Sequence, residues 1–263
     1  MTPIKISVLL IVISLSSCSK TVSVRFESEQ PVYPVLTMKE YNPVLKMQFI
    51  KTAPDNYTIE EIKLSLSGTT QEDQIESISL FVGGKKGSFA TKQQFGQTVL
   101  PSSEVTFKDQ LPIDTDTIVM WVSMKLKPSV DLTGMVNATC VSVKTNADRI
   151  IIPEGKNPGL RVGVAVRQHM EDNVHTSRIP GLATSRKGTL LAIYDVRRDS
   201  GRDLQGNIDI GLNRSFDGGN TWQPMQIVLD RGEWGGLDEK FNGISDACIL
   251  VDQNSGDIFI AGT

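Results

Sequence analysis

Apolar residues along this chain recur at every second position far more often than at the three-to-four-residue spacing of a helix. Val22, Val24 and Phe26 alternate with polar neighbours, as do Leu45, Met47 and Phe49. The rhythm returns at Ile62, Leu64 and Leu66, and at Ile78, Leu80 and Val82 before the turn pair Gly83-Gly84. Met120, Val122, Met124 and Leu126 form another run, and Val141 and Val143 begin a last one. A strand sends successive side chains to opposite faces, so each run predicts a strand with one buried face. Clusters of Gly, Pro, Asn and Asp separate the runs. Residues 21–155 therefore predict a two-sheet β-sandwich that ends in the Pro- and Gly-rich connection "IIPEGKNPG", residues 151–159.

From residue 160 onward the rhythm changes. Val162, Val164 and Val166 alternate, and "TLLAIYDVRR" and "GNIDIGLNRS" read as neighbouring strands joined by a polar loop. "SFDGGNTW" at 215–222, "MQIVLD" and "DACILVD…GDIFIAGT" complete the region. Strands this close, linked by tight turns, suit the four-stranded blade of a β-propeller. One blade and the start of another fit between Arg178 and Thr263. The predicted fold class is all-β: an N-terminal sandwich, then the first blades of an incomplete propeller over 160–263.

Composition removes some functions. The net charge of −3 offers no basic excess to attract phosphate backbones, which argues against a nucleic-acid partner. No Cys/His cluster has the spacing of a zinc site, and no residue pattern asks for a cofactor. His169 and His175 read as strand-edge residues, and Cys140 and Cys248 as two isolated buried thiols.

The first twenty residues, "MTPIKISVLLIVISLSSCSK", carry Lys5, an apolar run from Ile6 to Leu15 and then small residues. This is the pattern of an export signal, and the run is shorter than the ~20 residues of a spanning helix. The ending Leu15-Ser16-Ser17-Cys18 resembles a bacterial lipobox, which implies a signal peptide over 1–18, acylation of Cys18 and an exported protein held on a membrane by lipid. The plain alternative is a secretory signal that happens to contain a cysteine.

"SFDGGNTW" is the most patterned stretch of the chain. An Asp among hydroxyls and glycines could serve catalysis, a metal or a turn. The turn is the strongest reading: Asp217 can accept bonds from backbone N–H groups, Gly218 and Gly219 allow positive φ, and Trp222 can tuck beneath. The stretch matches the Asp-box Ser-x-Asp-x-Gly-x-Thr-Trp of sialidases and related propellers at Ser215, Asp217, Gly219, Thr221 and Trp222. Upstream, "SRIPGL" at 177–182 and "YDVRRDSGRDLQGNIDI" resemble the opening of an exo-α-sialidase catalytic domain. The 21–150 region is similar to the domain that precedes it in some bacterial sialidases.

The resemblance implies a six-bladed propeller, a retaining hydrolase of terminal sialic acids, sialylated glycoconjugates as partners, and no cofactor or metal. By position, Arg178 corresponds to the first of three arginines that clamp the sialic acid carboxylate, Arg197 to a second substrate-contacting arginine, and Asp203 to the acid/base. Asp246 corresponds to an acidic residue that accepts a bond from the sugar 4-hydroxyl. A guanidinium suits a carboxylate because the two pair bidentately. The acid/base would gain from a raised pKa, with Asp199 and Asp209 as its competitors. Arg178 as a surface ion pair and Asp246 as a turn residue are the structural readings of those positions. Arg198, next to Arg197, should point to the opposite face and act as an ion-pair partner. The implied Tyr–Glu nucleophile pair cannot be placed, since Tyr194 is the only tyrosine after Tyr57 and lies inside the first blade. Trp234 stands near the rim without a diagnostic spacing. A non-catalytic Asp-box protein that binds carbohydrate, and a sugar-binding sandwich, are the readings from other classes.

Overall fold

In a computed structural model, which describes residues 24–263 except Met38, Asp55, Asp148, 153–156 and Gln205, the alternating runs of the first region form two antiparallel four-stranded sheets. One has the order β1 (Val24–Glu29), β3 (Asn42–Lys51), β7 (Thr117–Leu126), β5 (Ile75–Val82). The other has the order β10 (Arg149–Ile151), β9 (Thr139–Thr145), β4 (Thr58–Ser65), β6 (Glu104–Pro112). Leu45, Met47 and Phe49 of β3 and Met120, Val122 and Met124 of β7 are fully buried in one core with Ile62 and Leu64 of β4. Truncating a residue such as Phe49 in a core packed this way costs about 3–5 kcal/mol. Val22 and the lipobox at Cys18 lie outside the described residues.

Several ladders of the sandwich depart from the simple alternation, and two of them show how. Against β9, Lys63 pairs with Ser142 and Leu64 with Cys140, so Val141 is an extra residue in the ladder. This bulge shifts the phase, and Cys140 and Val143 both face the core while Val141 does not. In β6, Ile59 pairs with Leu111 and Glu61 with Lys108, a second irregularity. Val105, Phe107 and Leu111 face the core in one phase, but Asp109 between them is polar and exposed, which is why the sequence gives β6 no signal.

A small third sheet follows the Pro- and Gly-rich connection. β11 (Leu160–Val164) pairs in parallel with β2 (Val35–Thr37) and antiparallel with β8 (Met135–Val136). Leu160 and Val162 join the sandwich core. Alternation shows that a segment is a strand, not which sheet receives it.

The second region begins with β12 (Thr176–Thr184), β13 (Leu190–Arg197), β14 (Ile208–Ser215) and β15 (Gln226–Leu229), paired in sequential order as an antiparallel meander. This is the form of a propeller blade. A hairpin of β16 (Cys248–Val251) and β17 (Ile258–Ala261) follows. The alternation of β13 gives the blade two packed faces. Ile193, with Ile210 of β14, packs against Ala247, Ile244, Ile249 and Ile260, while Tyr194 and Val196 pack against Val174, Val166 and Met225.

Both cysteines are free, but only Cys140 is buried, and desolvation pushes its thiol up to about 12. Cys248 is exposed, which corrects the reading of two buried thiols: strand β16 turns it to the open side of its hairpin. Of the histidines, only His175 flanks a strand. His169 lies in the loop before β12 and His175 immediately precedes it; their rings meet edge to face at 4.9 Å, with His169 Nδ1 2.5 Å from the His175 carbonyl.

Candidate active site

The Asp-box turn between β14 and β15 closes entirely on itself. Ser215 Oγ donates to Asp217 Oδ1 at 2.8 Å and accepts the Gly219 N–H at 2.8 Å. The Thr221 hydroxyl and backbone N–H both donate to the Asp217 carboxylate, at 2.6 and 2.9 Å. Trp222 Nε1 donates to the Gly219 carbonyl at 3.1 Å, and Gly218 and Gly219 take φ of 75° and 98°, values closed to most side chains. The Thr221 hydroxyl, its N–H and Ser215 together hold Asp217 at a pKa of about 2. Every oxygen of that carboxylate already serves the turn.

The chemistry gathers at the opposite end of the same blade. Arg178 of β12 stands directly across from Asp195 of β13, and Arg197 follows two residues later on the same face. The Arg197 side chain is completely buried, as is that of Asp195. Its Nη2 donates to Asp195 Oδ2 at 2.8 Å, and its Nη1 reaches Asp203 Oδ1 at 2.6 Å and the Arg202 carbonyl at 2.7 Å. Arg178 Nη1 approaches the same Asp203 oxygen at 3.4 Å and the Gly201 carbonyl at 3.2 Å. Two guanidinium groups thus converge on one carboxylate, which is 74% exposed at the mouth of the blade.

The backbone arranges this convergence. In the β12–β13 ladder Arg178 pairs with Asp195, but the next recorded pair is Gly181 with Ile193, so Ile179 and Pro180 form a bulge. Pro180 has no N–H to give the ladder, and Ile179 takes φ of 53°, a left-handed conformation unusual for a β-branched residue. The Arg-Ile-Pro sequence is therefore the device that positions Arg178. Burial disfavours the Arg197 charge, but the Asp195 and Asp203 carboxylates outweigh it and the guanidinium pKa is raised. Asp203 feels the converse: hydrogen bonding and charge from Arg197, with Arg178 adding, hold its pKa below the usual carboxylate value. This is opposite to the raised value that an acid/base needs.

Asp195 is the partner that sequence reasoning passes over. It is fully buried, orients Arg197 and also accepts the Ala247 N–H at 3.3 Å, tying the blade to the segment before β16. Its signal was the Asp-x-Arg spacing itself, since residues two apart on a strand share a face.

Asp246, one residue before that contact, is exposed at φ of 56°, and its carboxylate meets Thr263 Oγ1 at 3.4 Å. It sits in the bend before β16, not in the strand. Of the competing aspartates, Asp199 is exposed, and Asp209 is buried in an ion pair with Arg198. Burial raises the Asp209 pKa, Arg198 opposes, and nearby Asp230 and Glu239 add to the rise. Tyr194 faces away from Arg197, buried with its hydroxyl on Asn213 Oδ1. Trp234 is exposed, with the Arg231 guanidinium 5.1 Å over its ring.

Comparison with known proteins finds similar chains. Residues 23–149 match the family of the N-terminal domain of BNR-repeat neuraminidase. A sialidase of Bacteroides fragilis is 31% identical over 255 residues, covering 86% of this chain and 46% of the relative. A sialidase of Micromonospora viridifaciens is 42% identical over 82 residues, 31% of this chain and 12% of the relative. Among solved structures, the Hadza microbial sialidase Hz136 superposes with a TM-score of 0.78 at 26% identity, over 89% of this chain and 50% of that one. The chain thus spans about half the length of the longest-matching relatives or less. The chain carries the N-terminal domain of BNR-repeat neuraminidases and is similar over most of its length to part of bacterial sialidases.

Proposed function

We propose that the chain contributes the first part of the active site of a retaining exo-α-sialidase, which removes terminal sialic acids from glycoconjugates. The observation that carries this is the placement of Arg178 and Arg197 on one Asp203 oxygen. A sialic acid bears a carboxylate on its anomeric carbon, and the two guanidinium groups make a ready receptor for it. Asp203 fills that receptor as an internal counter-ion. When the sugar carboxylate arrives it takes over the arginines and releases Asp203, whose pKa then rises toward the value of a general acid beside the glycosidic oxygen. Substrate entry itself switches the acid on.

Asp246 belongs to this reading as the acceptor for the 4-hydroxyl, from the bend that approaches Asp195. Within 24–263 the blade supplies no Tyr–Glu nucleophile pair, because Tyr194 is buried on the other face. A carboxylate nucleophile would be repelled by the sugar's own carboxylate, so a neutral phenol from another blade completes the reading. The isolated chain is accordingly inactive, and the rest of a six-bladed propeller must close around it. Export and acylation at Cys18 would hold the enzyme on a membrane, facing extracytoplasmic glycans.

The test uses a protein extended to its relatives' length and two sialosides. Asp203→Ala should lower turnover of a natural alkyl-linked sialoside by about 10²–10⁴-fold and that of an activated aryl sialoside much less. Equal losses on both, or none, would remove Asp203 from the role.

A further inference from the structure

The two arginines of the candidate site meet two carboxylates of opposite character. Asp195 is sealed from solvent, and its Oδ2 accepts from Arg197 Nη2 at 2.8 Å and from Arg197 Nε at 3.3 Å. Its Oδ1 accepts the Ala247 N–H at 3.3 Å, so both oxygens are committed inside the fold. Asp203 is 74% exposed, and Arg197 Nη1 and Arg178 Nη1 reach it on a single oxygen. Among the described residues no other carboxylate pairs with either arginine. The count is two cations, one buried anion and one exposed anion, and it comes to zero.

That count governs what a carboxylated sugar does on entry. A third anion leaves the cluster with surplus negative charge, and like charges sharing a site drive one carboxyl to its protonated form. Asp195 is buried against Arg197 and has no route to solvent, whereas Asp203 lies at the surface. We propose that Asp195 is a positioning residue whose fixed charge limits the arginine pair to one exchangeable anion, so that binding a sugar carboxylate obliges Asp203 to take up a proton. One carboxylate enters, one proton comes from solvent to the Asp203 carboxyl, and the net charge of the cluster is unchanged. With a neutral group at 195, the arginines would hold the sugar carboxylate and ionised Asp203 together. The inference rests on the reading of Arg178 and Arg197 as a carboxylate receptor, and it adds what couples that receptor to the acid. The other charged groups nearby are few: Arg178 stands across the ladder from Asp195, and exposed Asp246 adjoins Ala247 in the bend. Arg197, with Arg178 adding, already holds the Asp203 carboxyl below its ordinary value, so displacement from them leaves it room to gain a proton.

The experiment is calorimetric titration of the chain with the methyl ketoside of N-acetylneuraminic acid, and with its methyl ester, at about pH 4.5, just above the ordinary aspartate value. Repeating each titration in buffers of different ionisation heat counts the protons exchanged. The acid should bind with net uptake of a substantial fraction of a proton, and the ester with none. Asp195→Asn keeps the shape and removes the charge. It should bind the acid as tightly as the wild type, or up to about tenfold more tightly, with the uptake gone. A purely structural role would weaken the acid and leave the uptake. Asp203→Asn, at an exposed position remote from the core, is the second arm: uptake should vanish while the acid binds more tightly than to the wild type. Weaker acid binding by folded Asp195→Asn, or uptake equal to that of the wild type, would overturn the proposal. So would a wild-type preference for the acid without proton uptake, or uptake that persists in Asp203→Asn. Equal wild-type affinity for acid and ester would remove the receptor reading, and this inference with it.

Discussion

Asp203 and Asp217 are both exposed carboxylates with depressed pKa values, and what holds them separates their roles. Asp217 is held by hydroxyls and N–H groups of its own turn, so its charge is spent on local structure. Asp203 is held by two guanidinium groups from two strands, so its charge is exchangeable for another anion. The Asp-box was legible in sequence to the level of individual bonds because every partner lies within seven residues. The Arg197 environment was only half legible, since Asp195 is adjacent but the Ala247 contact lies 52 residues away. The turn makes an acid-sensitive prediction. A depressed folded pKa stabilises the fold above the ordinary carboxylate value near 4, and the contribution is lost as pH falls toward about 2. Ser215→Ala leaves the buried Gly219 N–H without its acceptor and should cost about 1–3 kcal/mol at neutral pH. In denaturant melts at pH 7 and pH 2.5, the difference between wild type and Ser215→Ala should shrink at the lower pH. An unchanged midpoint for the variant at pH 7 would mean the hydroxyl bonds contribute nothing.

At the scale of strands, the same alternation that made the fold readable also concealed its irregularities. A period of two identifies β3, β4, β5, β7, β13 and β14, because Leu45 to Phe49, Ile62 to Leu64 and Ile78 to Leu80 lie beyond the bulges of their strands and keep phase. It fails at Val141 in β9 and between Ile59 and Ile62 in β4, where one inserted residue reverses which side chains face inward. It cannot reveal that β11 crosses back to pair with β2, a contact about 127 residues away in the chain. The bulge at Ile179-Pro180 is the functional instance of the same effect. Replacing Ile179-Pro180 by two valines, which favour an unbulged ladder of the same length, should bring Arg178 opposite Val196 and send its side chain to the other face of β12. The blade should stay folded, as judged by far-ultraviolet circular dichroism, while affinity for a carboxylated sugar falls by about tenfold or more, the loss of one charge-assisted pair. Retained affinity in the folded double-valine variant would show that Arg178 takes no part.

For the molecule as a whole, the sandwich and the blade form two cores linked through β11 and the 165–175 connection, and the proposed chemistry belongs to one end of the blade. Large apolar side chains remain open on that second region, among them Leu182, Phe216, Leu250 and Phe259. The central claim is narrower than catalysis and can be tested on this chain alone: Arg178 and Arg197 form a receptor for the carboxylate of a sialic acid, now occupied by Asp203. The direct measurement is calorimetric titration with the methyl ketoside of N-acetylneuraminic acid and, separately, with its methyl ester, which differ only in that carboxylate. The free acid should bind more tightly than the ester by tenfold or more, and Arg197→Met should erase the difference. Equal affinity of acid and ester for the wild-type chain would contradict the account.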